Sequence, residues 1–321
     1  MSRTYTGYRI AQWLSTHLPL ASAFGCAEPL ADAWSRVALT GREAVRTNLS
    51  MVLGNETPHA SLIREVFRNF GRYLVEFFTI HQTPQPEVTL EGHEHLVSAQ
   101  RTSRGVIILT GHLGNWEVGA VLLRRMGFPI TVVALPHNDP GMDRLFNRQR
   151  ERCGLQVIPI GADAAHRSLR SLHEGHLLGL LGDREFMDHG VALPLFQQEL
   201  ILPSGPAMLS LRSRAPIVPT FLIREGRWKF RLCFEPPIWP DASETRGASI
   251  RTITQRYASI LERYVKRFPD QWLMFQPLTI PPVTAQGSGP WALGRRESPV
   301  GHGSRRPQPA ARSPEPRALL R

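Results

Sequence analysis

From residue 105 onward the chain alternates short apolar runs with amphipathic stretches, and no other feature narrows its fold so far. The runs "GVIILT", "ITVVALP", "QVIPIG", "HLLGLLGD" and "APIVPTFLI" read as strands bounded by turn residues. Between them lie helical stretches near 116–127, 140–153, 164–175 and 204–214. Strands alternating with helices of about 10 to 15 residues need crossover connections, so the expectation is an α/β fold with a central, largely parallel sheet flanked by helices. The alternating segment "RWKFRLCFEP" adds an antiparallel strand, which makes the sheet mixed, and "ASIRTITQRYASILERYVKRF" closes the domain as a helix.

The two ends differ from this middle. Residues 1–90 read as a helical, membrane-proximal segment. In "SLIREVFRNFGRYLVEFFTI", Ile63, Val66, Phe67, Phe70, Leu74, Phe77 and Phe78 recur at three- and four-residue steps and form one apolar stripe. Arg64, Arg68 and Arg72 make a column on another face, which is either a solvated helix surface or a contact with lipid head groups. Near the start, Ile10, Trp13, Leu14 and Leu18 with Arg3 and Arg9 fit core packing and an interfacial anchor equally. After the α/β domain at 91–280, residues 281–321 turn to Pro, Gly, Ser and Arg. Such a stretch cannot bury enough apolar surface to offset its ordering entropy and is expected to be disordered.

Charge follows the same division. The net charge is +11, and the seven arginines and two glutamates beyond residue 281 hold +5 of it, leaving +6 on the folded body. That balance suits an anionic surface or ligand, while nucleic-acid binding is suggested by the tail alone and is not expected. Cys26, Cys153 and Cys233 have neither disulfide nor zinc spacing, which points to a reducing compartment. The start lacks the pattern of a secretory signal. The most apolar N-terminal stretch is interrupted by Gln12, Ser15, His17, Pro19 and Glu28 well before about 20 continuous apolar residues, so no spanning helix is expected.

The chemistry concentrates where the first of these strands ends, in "VIILTGHLGNWEVGAVLLRRMG". Histidine titrates near neutrality and is the usual general base for a hydroxyl at pH 7, and a carboxylate on its other ring nitrogen fixes the tautomer and stabilises the imidazolium. His112 and Glu117 are the candidates for those roles. On one ideal helix they would stand about 140° apart. They can meet only if His112 lies in the loop before the helix, which Gly111 and Gly114 permit and for which Asn115 is a suitable cap. There is no G-x-S-x-G elbow, no phosphate-loop lysine, no dinucleotide fingerprint and no second histidine at metal spacing. A base with an orienter and no protein nucleophile points to a substrate hydroxyl as the attacking group.

These residues, in the form "GHLGNWE", resemble the H-x-x-x-x-[DE] signature of the bacterial lipid A biosynthesis acyltransferases of the lauroyl/myristoyl type, within the lysophospholipid acyltransferase superfamily. The resemblance continues through "NRQRERCGLQVIPIG", "LLGDREFMDHGVALPLF", "PSGPAMLSLRSRAPIVPTFLIREGRWKFRLCFEPPI" and "FPDQWLMFQP", over residues 5 to 278. "GDRE" and "FPDQWLMFQP" are closer to the phosphatidylinositol mannoside acyltransferases, which leaves the acceptor lipid open.

The resemblance implies transfer of a fatty acyl group from an acyl-CoA or acyl carrier protein thioester, as donor substrate without a cofactor or metal, to a glycolipid hydroxyl at the cytoplasmic face of a bacterial inner membrane. His112 would be the base and Glu117 would hold its imidazole. The family places a site-facing arginine before "CGLQVIP"; its R-x-x-x-G pattern favours Arg150 over Arg148. Asp183 and Arg184 end an apolar strand, either as a salt bridge or for acceptor binding, and Asn115 is grouped with them on the substrate side. Other phospholipid or lysolipid acyltransferases, and a non-catalytic lipid-binding protein on the same fold, are the alternatives.

Overall fold

The helical stripe of the N-terminal segment and the short apolar runs of the middle fold as their periodicities require. The computed structural model describes residues 3–101, 104–186, 190–241 and 245–278; the tail expected to be disordered lies outside them. Four helices come first: α1 (Arg3–His17), α2 (Leu20–Val37), α3 (Leu39–Val52) and α4 (Ala60–Thr79). The apolar stripe of α4 is buried, with Val66, Phe67, Phe77 and Phe78 fully out of solvent. Its arginine column divides. Arg68 is held by both carboxylate oxygens of Asp32 at 2.8 Å, and Arg72 by Glu28 and Glu65, whereas Arg64 is exposed.

The α/β part runs β1 (Glu87–Glu91), α5 (His93–Gln100), β2 (Val106–Thr110), α6 (Trp116–Arg125), β3 (Ile130–Ala134), α7 (Pro140–Arg152), β4 (Gln156–Pro159), α8 (Ala164–His173), β5 (Leu177–Leu181), β6 (Val191–Leu195), β7 (Gln198–Leu202), α9 (Gly205–Ser213), β8 (Ile217–Gly226), β9 (Lys229–Phe234) and α10 (Arg246–Arg267). Seven strands form one sheet in the order β1-β9-β8-β2-β5-β3-β4, all pairs parallel except β8 with β9. The expected α/β architecture with a mixed, largely parallel sheet and an N-terminal helical segment is what the chain adopts. Two features were not read from sequence. β1, inside the stretch read as helical, pairs with β9 from the far end of the domain, and β6 and β7 form a separate antiparallel hairpin.

Alternation within β2 feeds two cores. Ile107 and Leu109 pack on the face covered by Tyr257, Leu261 and Val265 of α10, while Val106 and Ile108 pack with Val118, Val121 and Leu122 of α6. Burial on both faces is why the strand reads as continuous apolar residues. β5 enters the sheet between β2 and β3, although β3 follows β2 in sequence. The C-terminal ends of β2 and β5 are therefore neighbours at a switch in strand order, where open α/β sheets place their sites. No helix among the described residues is long and apolar enough to cross a membrane.

Candidate functional site

Strand register assembles the site. β2 and β5 are parallel neighbours, with Thr110 opposite Leu181, and each is followed by one glycine and then a functional group, Gly111-His112 and Gly182-Asp183. The backbone pairing continues one step past the strands, Gly182 N–H donating to the Thr110 carbonyl at 2.8 Å. Two residues beyond each strand end, His112 therefore stands opposite Asp183. A side chain at 111 would intrude between them, since a Cβ there would lie 2.8 Å from Asp183 Oδ2.

Asp183 is 1% exposed and fully engaged. One carboxylate oxygen lies 2.8 Å from His112 Nδ1; the other accepts the His112 backbone N–H at 2.6 Å and the Trp272 indole N–H at 3.1 Å. Burial by itself would push this carboxyl up, but the charge of His112 and these hydrogen bonds outweigh it and hold it below the ordinary aspartate value. With an ionised acceptor on Nδ1, the proton of a neutral ring sits there and Nε2 presents its lone pair. Nε2 has no hydrogen-bond partner among the described residues, and the side chain remains 18% exposed. Trp116 packs edge-on against the ring, with centroids 5.0 Å apart. Below, the Tyr257 hydroxyl donates to the Thr110 carbonyl at 2.6 Å and fixes the strand end that carries the loop.

Glu117 does not meet the imidazole as expected. It starts α6 as expected, but its carboxylate is taken by Arg150 of α7, whose Nε lies 3.1 and 3.0 Å from the two oxygens. The glutamate is 4% and the arginine 11% exposed, so the two form a buried pair. Burial opposes the charge on Arg150, while Glu117 more than restores it and leaves the guanidinium above its usual value. The physical reason for the correction is position. α6 carries Glu117 toward α7, whereas Asp183 comes off the adjacent strand directly onto Nδ1. Of the two arginines, Arg150 is thus the inward one and Arg148 is exposed.

Asn115 caps α6 as expected, its side-chain oxygen accepting the Val118 N–H at 3.2 Å. Its amide nitrogen donates to Glu76 Oε2 at 2.7 Å and to the Tyr73 carbonyl. Fully buried, it has no face for substrate and acts as a brace between the loop and α4. Glu76 in turn pairs with Arg224 of β8 through hydrogen bonds of 2.6 and 2.7 Å. Gly114, at φ +65°, lets the loop run against β8, with Asn115 N–H donating to the Leu222 carbonyl at 3.1 Å. The loop also pairs with the segment after α10, Leu273 N–H donating to the His112 carbonyl at 2.7 Å.

Arg184 follows Asp183 with its guanidinium 4.5 Å from the centre of the Phe186 ring. Burial lowers its pKa, with the Asp183 charge opposing. Cys153 and Cys233 are pushed up to about 11, chiefly by burial, which makes them inert rather than nucleophilic. Among the described residues no group of three His, Cys, Asp or Glu is arranged to hold a metal. Sequence reading missed Trp272, Tyr257 and Glu76 as supports and did not pair Asp183 with His112. A usable signal was present, because "LTGH" and "LLGD" end two parallel strands in the same way.

This arrangement presents an anchored imidazole whose Nε2 has no hydrogen-bond partner among the described residues, the geometry that activation of a hydroxyl requires. Residues 4–279 match the family described as bacterial lipid A biosynthesis acyltransferase. The phosphatidylinositol mannoside acyltransferases of Mycolicibacterium smegmatis and Mycobacterium tuberculosis are each 28% identical, over 74% of this chain and 79% and 77% of theirs. The lipid A biosynthesis palmitoleoyltransferase of Escherichia coli is 26% identical over 75% of this chain and 79% of its own. With the match spanning nearly all of the folded body, the chain belongs to the bacterial lipid A biosynthesis acyltransferase family and is an acyltransferase.

Proposed function

We propose that the protein moves a fatty acyl group from an acyl-CoA or acyl carrier protein thioester to a hydroxyl of a sugar-bearing membrane lipid, with His112 as general base and Asp183 as its orienter. The observation that carries this reading is the 2.8 Å contact of Asp183 with Nδ1, with Nε2 left without a partner among the described residues. In the reaction, Nε2 takes the hydroxyl proton as the oxygen attacks the thioester carbonyl. The tetrahedral oxyanion then collapses, the C–S bond breaks, and the thiolate leaves with the proton from the imidazolium. Asp183 stabilises the imidazolium meanwhile; a positioned base of this kind is worth about 10²- to 10⁴-fold. Arg184, beside Asp183 and without an ion-pair partner among the described residues, supplies positive charge for an anionic part of a substrate.

The Glu117–Arg150 pair braces α6 against α7 and keeps the loop in place. A sugar-bearing acceptor is favoured because relatives on both branches are named for such lipids, a phosphatidylinositol mannoside and lipid A. A non-catalytic lipid-binding role is disfavoured by a buried carboxylate that anchors a partly exposed histidine while its Nε2 has no hydrogen-bond partner among the described residues. The test is transfer of labelled acyl groups from both thioesters to membrane lipid by His112→Ala, with folding checked by circular dichroism. A loss of at least about 10²-fold is expected, and near-full transfer would refute the mechanism. Mass spectrometry of lipids from cells lacking the protein identifies the acceptor as the species short of one acyl chain.

A further inference from the structure

The helices before the sheet carry a second constellation that this chemistry does not use. Between the end of α2, the start of α3 and the first turn of α4 lies an open cavity of about 300 Å³, lined by Arg36, Arg42 and Arg64 with Ser35, Ser61 and Asp32. The three arginines are exposed, and none has a side-chain ion pair or hydrogen bond among the described residues. The neighbouring carboxylates are hydrogen-bonded to other arginines, and Asp32 is felt by Arg36 and Arg64 through space. Asp32 is held by Arg68, while Glu28 and Glu65 are held by Arg72. The Asp32 carboxyl is lowered first by its hydrogen bond to Arg68. Three guanidiniums thus face one hollow whose only carboxylate among the lining residues, Asp32, is hydrogen-bonded to Arg68 and feels Arg36 and Arg64 only through space, so positive charge is in excess there. The start of α4 adds to the field, with no acidic residue in its first turn and no side-chain cap at His59.

Next to these arginines in the chain, apolar side chains are exposed. At the corner where α2 breaks into α3, Val37 is 75% and Leu39 69% exposed, and Trp34 one turn earlier is 37% exposed. Large aliphatic side chains set at a protruding corner and flanked by Arg36 and Arg42 have the composition of an interfacial contact, apolar tips below and guanidiniums at phosphate level. Trp34 also ties the corner to the base through a row of rings. It contacts Phe70 at 5.4 Å, Phe70 stacks on Tyr73 at 5.6 Å, Tyr73 meets Trp116 at 4.7 Å, and Trp116 meets His112 at 5.0 Å.

We infer that this hollow binds the phosphate of an anionic lipid head group while Val37 and Leu39 enter the bilayer interface, docking the enzyme through the α2–α3 corner. The inference rests on the reading that the acceptor lies in a membrane. An acidic soluble protein would match the arginines but not the exposed aliphatic corner between them.

The test is co-sedimentation of the full chain with phosphatidylcholine vesicles, with and without phosphatidylglycerol, for Arg36→Gln/Arg42→Gln/Arg64→Gln. A triple variant of equal charge at other exposed arginines, Arg212→Gln/Arg246→Gln/Arg256→Gln, serves as control. Each arginine near an anionic surface is worth about fivefold in binding, so a loss of roughly a hundredfold is expected for the hollow variant and a far smaller one for the control. Val37→Ser/Leu39→Ser, at exposed positions where folding is not at stake, should weaken binding to both kinds of vesicle. Equal losses in the two arginine variants would overturn the inference. So would saturable binding of glycerol 3-phosphate or of an acyl carrier protein as tight as that of vesicles and lost in the hollow variant, since the ligand would then be soluble. The vesicle assay contains no acyl donor, so failure of the acyltransfer mechanism would leave it unchanged. Conversely, an active enzyme whose vesicle binding ignores Arg36, Arg42 and Arg64 would sink this inference alone.

Discussion

Changing Asp183 to asparagine separates the two carboxylates that compete for the role of orienter. Asp183 accepts three hydrogen bonds, from His112 Nδ1, from the His112 backbone and from Trp272. An amide has one acceptor oxygen. If that oxygen stays on the backbone and indole donors, its NH₂ faces Nδ1, which must then become an acceptor; the ring proton moves to Nε2 and the base is blocked. Turning the orienting aspartate of an acyl-transfer triad into its amide costs about 10⁴ in kcat, and a loss of that order is expected here with KM little changed. One charge-assisted hydrogen bond lost is worth about 1.5–3 kcal/mol, so the melting temperature should fall by only several degrees.

Glu117→Gln should do the reverse. It leaves the Arg150 guanidinium, 11% exposed, without its counter-charge. Breaking a buried pair from one side costs about 3–5 kcal/mol, roughly 2 °C per kcal/mol in a body of this size. Its kcat per folded molecule should stay well above that of Asp183→Asn. Steady-state transfer assays and differential scanning fluorimetry on both variants give the comparison. A folded Asp183→Asn enzyme within tenfold of wild-type kcat would refute the assignment. Glu117→Gln with a loss of about 10⁴ at an unchanged melting temperature would return the role to Glu117.

Two further outcomes follow from the loop and the thiols. Gly114→Ala places a Cβ 1.8 Å from the Leu222 carbonyl oxygen at a φ of +65°, so the loop must leave β8; soluble yield should collapse, or stability should fall by more than about 3 kcal/mol in urea titration. The folded-state pKa values of Cys153 and Cys233 are raised from 9.0 to about 11. Their burial therefore contributes stability that is fully present below pH 9 and lost as pH rises toward 11. Thermal stability should fall across that window, and less steeply in Cys153→Ala, whereas a flat profile from pH 9 to 11 would contradict the burial argument.

Local pattern by itself determined the α/β class, because the central strands β2, β5 and β8 are largely buried on both faces, helices such as α4 bury one stripe, and periodicity records burial directly. It also determined that His112 leaves the helix, because Gly111, Gly114 and the Asn115 cap are local devices. What it could not decide was which carboxylate meets the imidazole. Glu117 lies five residues from His112 and Asp183 seventy-one, yet β5 inserts beside β2 with Thr110 opposite Leu181, and that register brings the distant group to Nδ1. Strand order and register are properties of the whole sheet, set by which apolar faces pack together, and no window of sequence contains both strands. The same holds for the arginines of the N-terminal helices. Their spacing in α4 placed Arg64, Arg68 and Arg72 in one column, but Asp32 and Glu28 arrive from α2 to neutralise two of them, so only the packing of helix on helix left Arg64 to face the hollow.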